Sequence, residues 1–168
     1  MKATLHFVTG APGSGKSTAL HHILRRGSPY LAFDIDWLAA AASHLAQSDI
    51  ASDPRTWPAY NALWFEVLHA VHRNHKHAIL FSPLDLPDVA AHGQPAWCER
   101  IEWLLLDCDD STRCTRLAAR AGWTAAMIEA ALADAYALRP QIAERIDTAR
   151  TAPDDVVTAI LSWVDRTK

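Results

Sequence analysis

Residues 10–17, Gly-Ala-Pro-Gly-Ser-Gly-Lys-Ser, fit the pattern G-x-x-x-x-G-K-[ST]. Glycines let a backbone wrap with its N–H groups pointing inward around phosphate oxygens, and a helix that begins there adds the positive end of its dipole. In such a loop the lysine reaches the β- and γ-phosphates and the serine hydroxyl ligates Mg²⁺. An ordinary glycine-rich turn would explain the glycines but not the Lys-Ser pair. The predicted phosphate-binding residues are Gly10, Ala11, Pro12, Gly13, Ser14, Gly15, Lys16, Ser17 and Thr18.

Two carboxylates, Asp34 and Asp36, follow a second apolar segment. Residues i and i+2 of a strand lie on the same side, and ligands of open α/β sheets bind beyond the carboxyl ends of the strands. We expect this strand to neighbour the phosphate-binding loop, with one of the two carboxylates holding Mg²⁺ and the other accepting the proton of a substrate hydroxyl. Asp36 is preferred as the base, because it lies further past the strand end and closer to the helical insertion. The alternative is that Asp36 caps the helix starting at Trp37 and Asp34 is a solvated strand end.

Arginines 113, 116 and 120 lie on one predicted helix, and the last two are four residues apart on one face. Guanidinium groups stabilise the charge that spreads over a phosphoryl group during its transfer, and they also stack on adenine. The alternative is a solvated basic face that pairs with Asp109, Asp110 or Glu99.

Other polar residues carry weaker signals. Asp107 ends an apolar run and resembles a magnesium-binding acid, but any buried strand ending in Asp fits that pattern. Ser82 and Asp85 follow a third strand and would face the same cleft. Histidines 69, 72, 75 and 77 straddle a helix end without metal-ligand spacing, so we expect them to be solvated.

The tryptophans are expected mainly in the core. Trp103 lies on a predicted strand and Trp163 on a predicted helix. Trp57 and Trp64 share one helix face, a spacing more typical of packing than of a stacking platform.

The elements that must position these residues alternate between strands and helices. This pattern predicts one α/β domain over residues 1–168, with a parallel sheet of about five strands covered by helices on both faces, and a helical substrate-side insertion over residues 37–76. The predicted strands span residues 3–9, 30–33, 77–82, 101–106 and 145–148, and the predicted helices span residues 17–26, 37–47, 57–74, 110–121, 124–138 and 153–164.

Composition excludes several classes of protein. The chain has 168 residues, half of them apolar, and a net charge of −3. No apolar run approaches the ~20 residues that span a bilayer, and the start lacks the apolar core of a secretory signal. Three scattered cysteines give neither a disulfide framework nor zinc spacing. We expect a cytoplasmic protein with no membrane contact, and the acidic balance argues against a wide nucleic-acid surface.

These motifs together resemble the small P-loop kinases, the group with the nucleoside-monophosphate-kinase-like fold that includes adenylate, shikimate, gluconate and adenylylsulfate kinases and chloramphenicol phosphotransferase. Residues 10–17 match their Walker A loop. Asp34-Ile-Asp36 resembles the D-x-D of shikimate and adenylylsulfate kinases, in which the first Asp attends magnesium and the second meets the substrate hydroxyl. Arg116-Leu-Ala-Ala-Arg120 resembles the R-x-x-x-R of adenylate kinases, whose first arginine packs on adenine and whose second reaches phosphates. Arg145-Ile-Asp-Thr148 resembles the last strand and the adenine-side loop of the group.

The resemblance implies the three-layer sandwich of P-loop NTPases and an ATP- and Mg²⁺-dependent phosphotransferase. The implied catalytic residues are Lys16, Asp34, Asp36 and Arg120, with Arg116 on the nucleotide and Ser17 and Asp34 on the metal. The chain departs from shikimate kinase in lacking a glycine-rich turn after the third strand, and from adenylate kinase in lacking an arginine-studded lid after Gly122. The expected partner is a small-molecule acceptor, either a nucleoside, a nucleotide, a sugar acid or an antibiotic hydroxyl. A regulatory ATPase module and a polynucleotide-end kinase are the alternatives, and the oligomeric state stays open.

Overall fold

The architecture comes from a computed structural model that describes residues 3–168, apart from the side chain of His92. The described residues form five strands: β1 (Ala3–Thr9), β2 (Leu31–Asp34), β3 (Ala78–Phe81), β4 (Cys98–Asp107) and β5 (Arg145–Asp147). The same residues form seven α-helices: α1 (Lys16–Arg26), α2 (Ala39–Ala46), α3 (Trp57–Arg73), α4 (Leu86–His92), α5 (Asp110–Ala118), α6 (Ala125–Leu138) and α7 (Pro153–Thr167). In residues 3–168, no helix has the length and apolar character needed to cross a membrane.

The strands form one parallel sheet in the order β2-β3-β1-β4-β5. The predicted parallel α/β sheet is therefore confirmed. The expectation that β2 neighbours the loop-bearing strand is wrong, because β3 pairs with both β1 and β2 and lies between them. All five strands still end at one edge of the sheet, where the loop after β1 meets the residues that follow the other strands.

Strand alternation divides the core into two faces. Val8 and its same-face neighbours on β3 and β4 pack against buried residues of α1 and α7, such as Ile23 and Ile160. Leu5 and Phe7 point the other way and pack against α3, including the buried Trp64. Alternating residues of a buried parallel strand must both find apolar partners, so the sheet needs helices on each side. The sheet thus holds the loop after β1 from both faces.

Two helical elements differ from the prediction. The predicted helix over residues 37–47 begins instead with a 3-10 turn at Ile35–Leu38 before α2. Helix α4 was not predicted, although its N-terminus is a capping box: the Asp85 carboxylate accepts from the Asp88 N–H at 2.9 Å, and the Asp88 carboxylate accepts from the Asp85 N–H at 3.2 Å. The Asp85 carboxylate is therefore engaged as a helix cap.

Some of the aromatic and histidine residues lie where the sequence predicts, and others do not. Trp163 is buried, and Trp103 packs edge-on against Phe7 with ring centres 5.0 Å apart. Trp64 is 2% exposed, but Trp57 is 47% exposed, so its predicted place in the core is wrong. His69 stacks on Trp97 with ring centres 4.6 Å apart, and His72 stacks on the same ring at 6.2 Å, so these two are not simply solvated. A search of the described residues finds no group of three or more His, Cys, Asp or Glu placed to hold a metal ion.

Candidate active site

The loop after β1 wraps tightly at its glycines. A Cβ at Gly10 would overlap the carbonyl oxygen of Leu106, and Gly13 has φ +81°, a left-handed conformation that side chains disfavour. The Ser14 hydroxyl is buried and has no hydrogen-bond partner among the described residues. Such a loop, with an unpartnered buried hydroxyl and a helix starting at Lys16, fits a polyphosphate chemically.

The Lys16 ammonium lies in the concavity of this loop. It donates to the carbonyl oxygen of Gly10 and lies 3.5 Å from that of Ala11. Burial lowers the pKa of Lys16 to about 8, and the carboxylates of Asp34 and Asp36 oppose that shift. The ammonium is thus electrostatically coupled to the two acids beyond β2, even though β3 lies between them.

Two arginines of α5 fix the outside of the loop. Arg113 is fully buried and donates to the carbonyl oxygens of Ala11 at 3.3 Å and Pro12 at 2.6 Å. Arg116 donates to the carbonyl oxygen of Gly13 at 3.1 Å. The Ser14 N–H donates to the Ala11 carbonyl oxygen at 3.2 Å. Because the loop carbonyl oxygens are otherwise held from outside, the other N–H groups of the loop are left for a ligand.

Asp107, at the end of β4, pairs with Arg113 and with a third arginine, Arg139. Its carboxylate accepts from Arg113 at 2.5 Å and from Arg139, at the end of α6, at 2.8 Å. The interpretation of Asp107 as a magnesium-binding acid is therefore not supported, since both of its oxygens are occupied by guanidinium groups. Ser82 follows β3, next to the loop-bearing strand, and its hydroxyl is buried without a hydrogen-bond partner among the described residues.

Thr148, just after β5, links three parts of the site. Its hydroxyl donates to the Ser14 carbonyl oxygen at 2.7 Å and accepts from Arg116 at 2.9 Å, and its carbonyl oxygen accepts from the same guanidinium at 2.7 Å. The sequence predicts no role for Arg139, and Thr148 enters only as part of the segment that resembles an adenine-side loop. The placement of Thr148 after a short final strand was the available signal, whereas the reach of Arg139 back to β4 depends on the tertiary fold.

The two acids after β2 have different surroundings. Asp34 ends the strand and accepts a hydrogen bond from the Asp36 N–H at 3.1 Å, so the helix-capping role falls to Asp34. Strand alternation does not relate the pair, because Asp36 already belongs to the 3-10 turn. The Asp36 carboxylate makes no hydrogen bond to any described residue. Partial burial and the nearby Asp34 carboxylate raise its pKa, while Lys16 opposes the shift.

Asp36 lines a cavity of about 780 Å³, here called the Asp36 cavity. Its floor is held in place by α3, since Tyr60 and Trp64 both donate to the carbonyl oxygen of Ile35, Trp64 at 2.9 Å. The volume lies in the range of small-molecule sites. The cavity is lined by Ile35, Asp36, Ala39, Ile50, Ala51, Pro54, Trp57, Pro58, Tyr60, Asn61, Pro83, Leu84, Pro87, Asp88 and Ala91.

A second cavity, of about 480 Å³, is lined by Gly13 and Gly15 of the loop and is here called the Arg116 cavity. Arg116 and Arg120 both line it. The predicted shared helix face is wrong, because α5 ends at Ala118 and Arg120 lies in the turn that follows. Arg120 makes no hydrogen bond to the loop; its guanidinium lies 5.9 Å from the ring centre of Trp123. The remaining lining residues are Thr18, Ala19, Ala119, Thr148, Thr151, Pro153 and Val156.

Ser17 and Asp34, the residues expected to hold magnesium, carry the types of oxygen atom that bind this ion. Ser17 is exposed at the start of α1, and one carboxylate oxygen of Asp34 is not used by the cap. Hydroxyl and carboxylate oxygens are the ligands that Mg²⁺ takes beside phosphate oxygens and water.

Solved structures provide the comparison. A sugar kinase from Janibacter sp. HTCC2649 is 21% identical at a TM-score of 0.68, covering 98% of this chain and 95% of that one. The Deinococcus radiodurans tunicamycin resistance protein is 18% identical at a TM-score of 0.68, covering 98% and 96%. A gluconokinase from Sinorhizobium meliloti 1021 is 16% identical at a TM-score of 0.61, covering 98% and 93%. No protein-family model and no curated protein matches the sequence. The chain thus has the α/β fold of the small P-loop kinases over nearly its whole length.

Proposed function

We propose that this protein is a kinase that transfers the γ-phosphoryl group of ATP to a hydroxyl of a small molecule bound in the Asp36 cavity. One observation carries the proposal: Asp36 lines a cavity of small-molecule size and is also electrostatically coupled to the lysine of the phosphate-binding loop. Asp36 is therefore the residue that connects the acceptor cavity with the phosphate-binding loop in this proposal. The fold shared with solved kinases supports the same conclusion.

The reaction assigns a task to each group. The Asp36 carboxylate accepts the proton of the acceptor hydroxyl as its oxygen bonds to the γ-phosphorus. The bond from that phosphorus to the bridging oxygen breaks, and ADP leaves with the electron pair. A base of raised pKa holds that proton better than an ordinary aspartate does. Lys16, held in the loop, and Arg120, at the edge of the Arg116 cavity, balance negative charge on the phosphates.

The nucleotide and metal take the remaining residues. The free N–H groups of residues 10–18, which exclude Pro12 and Ser14, would bind the phosphates, and the Arg116 cavity would take the base and ribose. Ser17 and Asp34 would hold Mg²⁺, which when bound neutralises phosphate charge.

An acceptor screen with ATP and Mg²⁺, read as ADP release, tests the proposal. We expect slow basal release that one class of hydroxyl compound stimulates strongly, and no stimulation in Lys16→Ala. Hydrolysis stimulated by a protein partner and by no small molecule would point instead to a regulatory ATPase. Release stimulated only by oligonucleotides with a free hydroxyl end would point to a polynucleotide kinase.

A further inference from the structure

The charged residues that line the Asp36 cavity are all acidic. It has two carboxylates, those of Asp36 and Asp88, and none of the described residues that line it is Lys, Arg or His. The Asp88 carboxylate accepts one hydrogen bond, from the Asp85 N–H, and no cation contacts it among the described residues. A carboxylate or phosphate on the ligand would therefore meet like charge without a compensating cation.

The cations of the site lie elsewhere. Lys16 is turned into the phosphate-binding loop, Arg113 is fully buried against the outside of that loop, and Arg116 is bound to Thr148. Arg55 is next in sequence to the lining residue Pro54, but it points to solvent and is held by two hydrogen bonds of 2.8 Å to the Asp53 carboxylate. Lys16, Arg113, Arg116 and Arg55 are therefore already engaged, and Arg120 lines the Arg116 cavity instead of this one.

The apolar surface of the cavity indicates the shape of its ligand. Trp57 donates its indole N–H to the carbonyl oxygen of Ile50 at 2.9 Å, which fixes the ring at the cavity wall while it stays half exposed. Ile50, Leu84 and four prolines add further apolar surface. A fixed indole beside aliphatic walls favours a ring or another rigid apolar body over a small open-chain polyol.

Resting on the function proposed above, we infer that the acceptor is an uncharged or cationic alcohol with a ring-sized apolar body. Among the classes that the sequence leaves open, this selects nucleosides and antibiotic-like alcohols over nucleotides and sugar acids. The charge of the cavity, rather than its size, makes this selection.

Matched ligand pairs test the inference. Calorimetric titration of the full chain, without ATP, would compare the neutral and anionic member of each pair: methyl mandelate with mandelate, and a nucleoside with its 5′-monophosphate. We expect the neutral member to bind at least about 100-fold more tightly. Asn61→Arg adds a cation to the lining and should narrow this gap at least about tenfold, whereas Asp134→Arg, on the exposed surface of α6, should leave it unchanged.

The outcomes separate this inference from the proposed function. Equal or tighter binding of the anionic members, or no binding of any neutral member up to about 10 mM, would overturn the inference whatever the catalytic activity. Tight binding of neutral members that are never phosphorylated on addition of ATP and Mg²⁺ would leave the ligand class standing and remove the kinase activity.

Discussion

Asp34 and Asp36 are separated by one residue, yet their surroundings divide two tasks between them. Asp34 caps the turn that follows β2 and keeps one oxygen free. Asp36 lines the cavity with an unbonded carboxylate of raised pKa. This division supports the assignment of Asp34 to magnesium and of Asp36 to the proton.

Replacing Asp36 tests its role as the base. Asp36→Asn should lower kcat by about two to four decades, since a positioned base typically contributes that factor, and should leave ATP affinity nearly unchanged. Asp34→Asn retains a good capping side chain and should instead raise the Mg²⁺ concentration needed for half-maximal rate. Steady-state kinetics with varied acceptor and Mg²⁺ measure both effects, with Asp134→Asn as the surface control.

Full acceptor-dependent turnover in Asp36→Asn would contradict this assignment. If the variant also had a lowered melting temperature, the residue would be structural, and the base would have to be sought at Asp34.

Lys16 predicts a proton uptake that depends on pH. Burial holds its pKa near 8 in the free protein, and bound phosphates would favour the charged form and raise that pKa. Below pH 7 the lysine is already protonated, so binding takes up almost no proton at this site. At pH 8 it should take up about half a proton per nucleotide, and more at higher pH.

Calorimetry of ATP–Mg²⁺ binding in two buffers of different ionisation enthalpy measures this uptake at each pH. Lys16→Arg is the matched variant, because a guanidinium stays protonated throughout the range. An uptake that is the same in this variant and in the natural protein would show that another group titrates.

At the scale of elements, the phosphate-binding loop owes its shape to α5 and to the turn after β5 as much as to its own glycines. Arg113 and Arg116 bind three consecutive loop carbonyl oxygens, those of Ala11, Pro12 and Gly13, and Thr148 binds that of Ser14. The loop is thus held from outside in a conformation that its own sequence makes accessible.

Removing the buried Arg113 should lower the stability of the fold. Arg113→Met breaks a buried ion pair with Asp107 and leaves loop carbonyl oxygens without a donor, so unfolding free energy should fall by about 3–5 kcal/mol. Arg166→Met, which breaks the exposed pair with Glu144, should cost no more than about 1 kcal/mol. Urea denaturation measures the free energy of unfolding of both variants. An equal decrease in the two would contradict the conclusion that Arg113 stabilises the fold more than a surface arginine does.

Sequence patterns predicted most elements because each has a local signal. Gly27 follows the last turn of α1, and Thr124 caps α6. Helix α4 is not predicted although Asp85 and Asp88 have the spacing of a capping box. The segment is short and contains Pro83 and Pro87, which are more typical of a loop. The site residues on the loop and after β2 were also predicted. The hydrogen bonds of Arg113, Arg139 and Thr148 were not predicted, because they join residues that are distant in sequence.

At the scale of the whole molecule, strand order decides which residues share the cleft. The sequence predicts parallel strands but not that β3 lies between β1 and β2, because that order follows from long-range pairing. The Arg116 cavity is lined by Gly13 and Gly15 of the phosphate-binding loop, and the Asp36 cavity is lined by residues that follow β2 and β3. Such a layout suits transfer of a group from a ligand in one cavity to a ligand in the other.

The most direct measurement of this central claim follows the γ-phosphorus itself. ³¹P NMR of the protein with ATP, Mg²⁺ and the best-binding neutral alcohol should show ADP forming together with a new phosphate-monoester resonance, and neither should form in Lys16→Ala. ADP accompanied only by inorganic phosphate, at a rate that the alcohol does not change, would contradict the account.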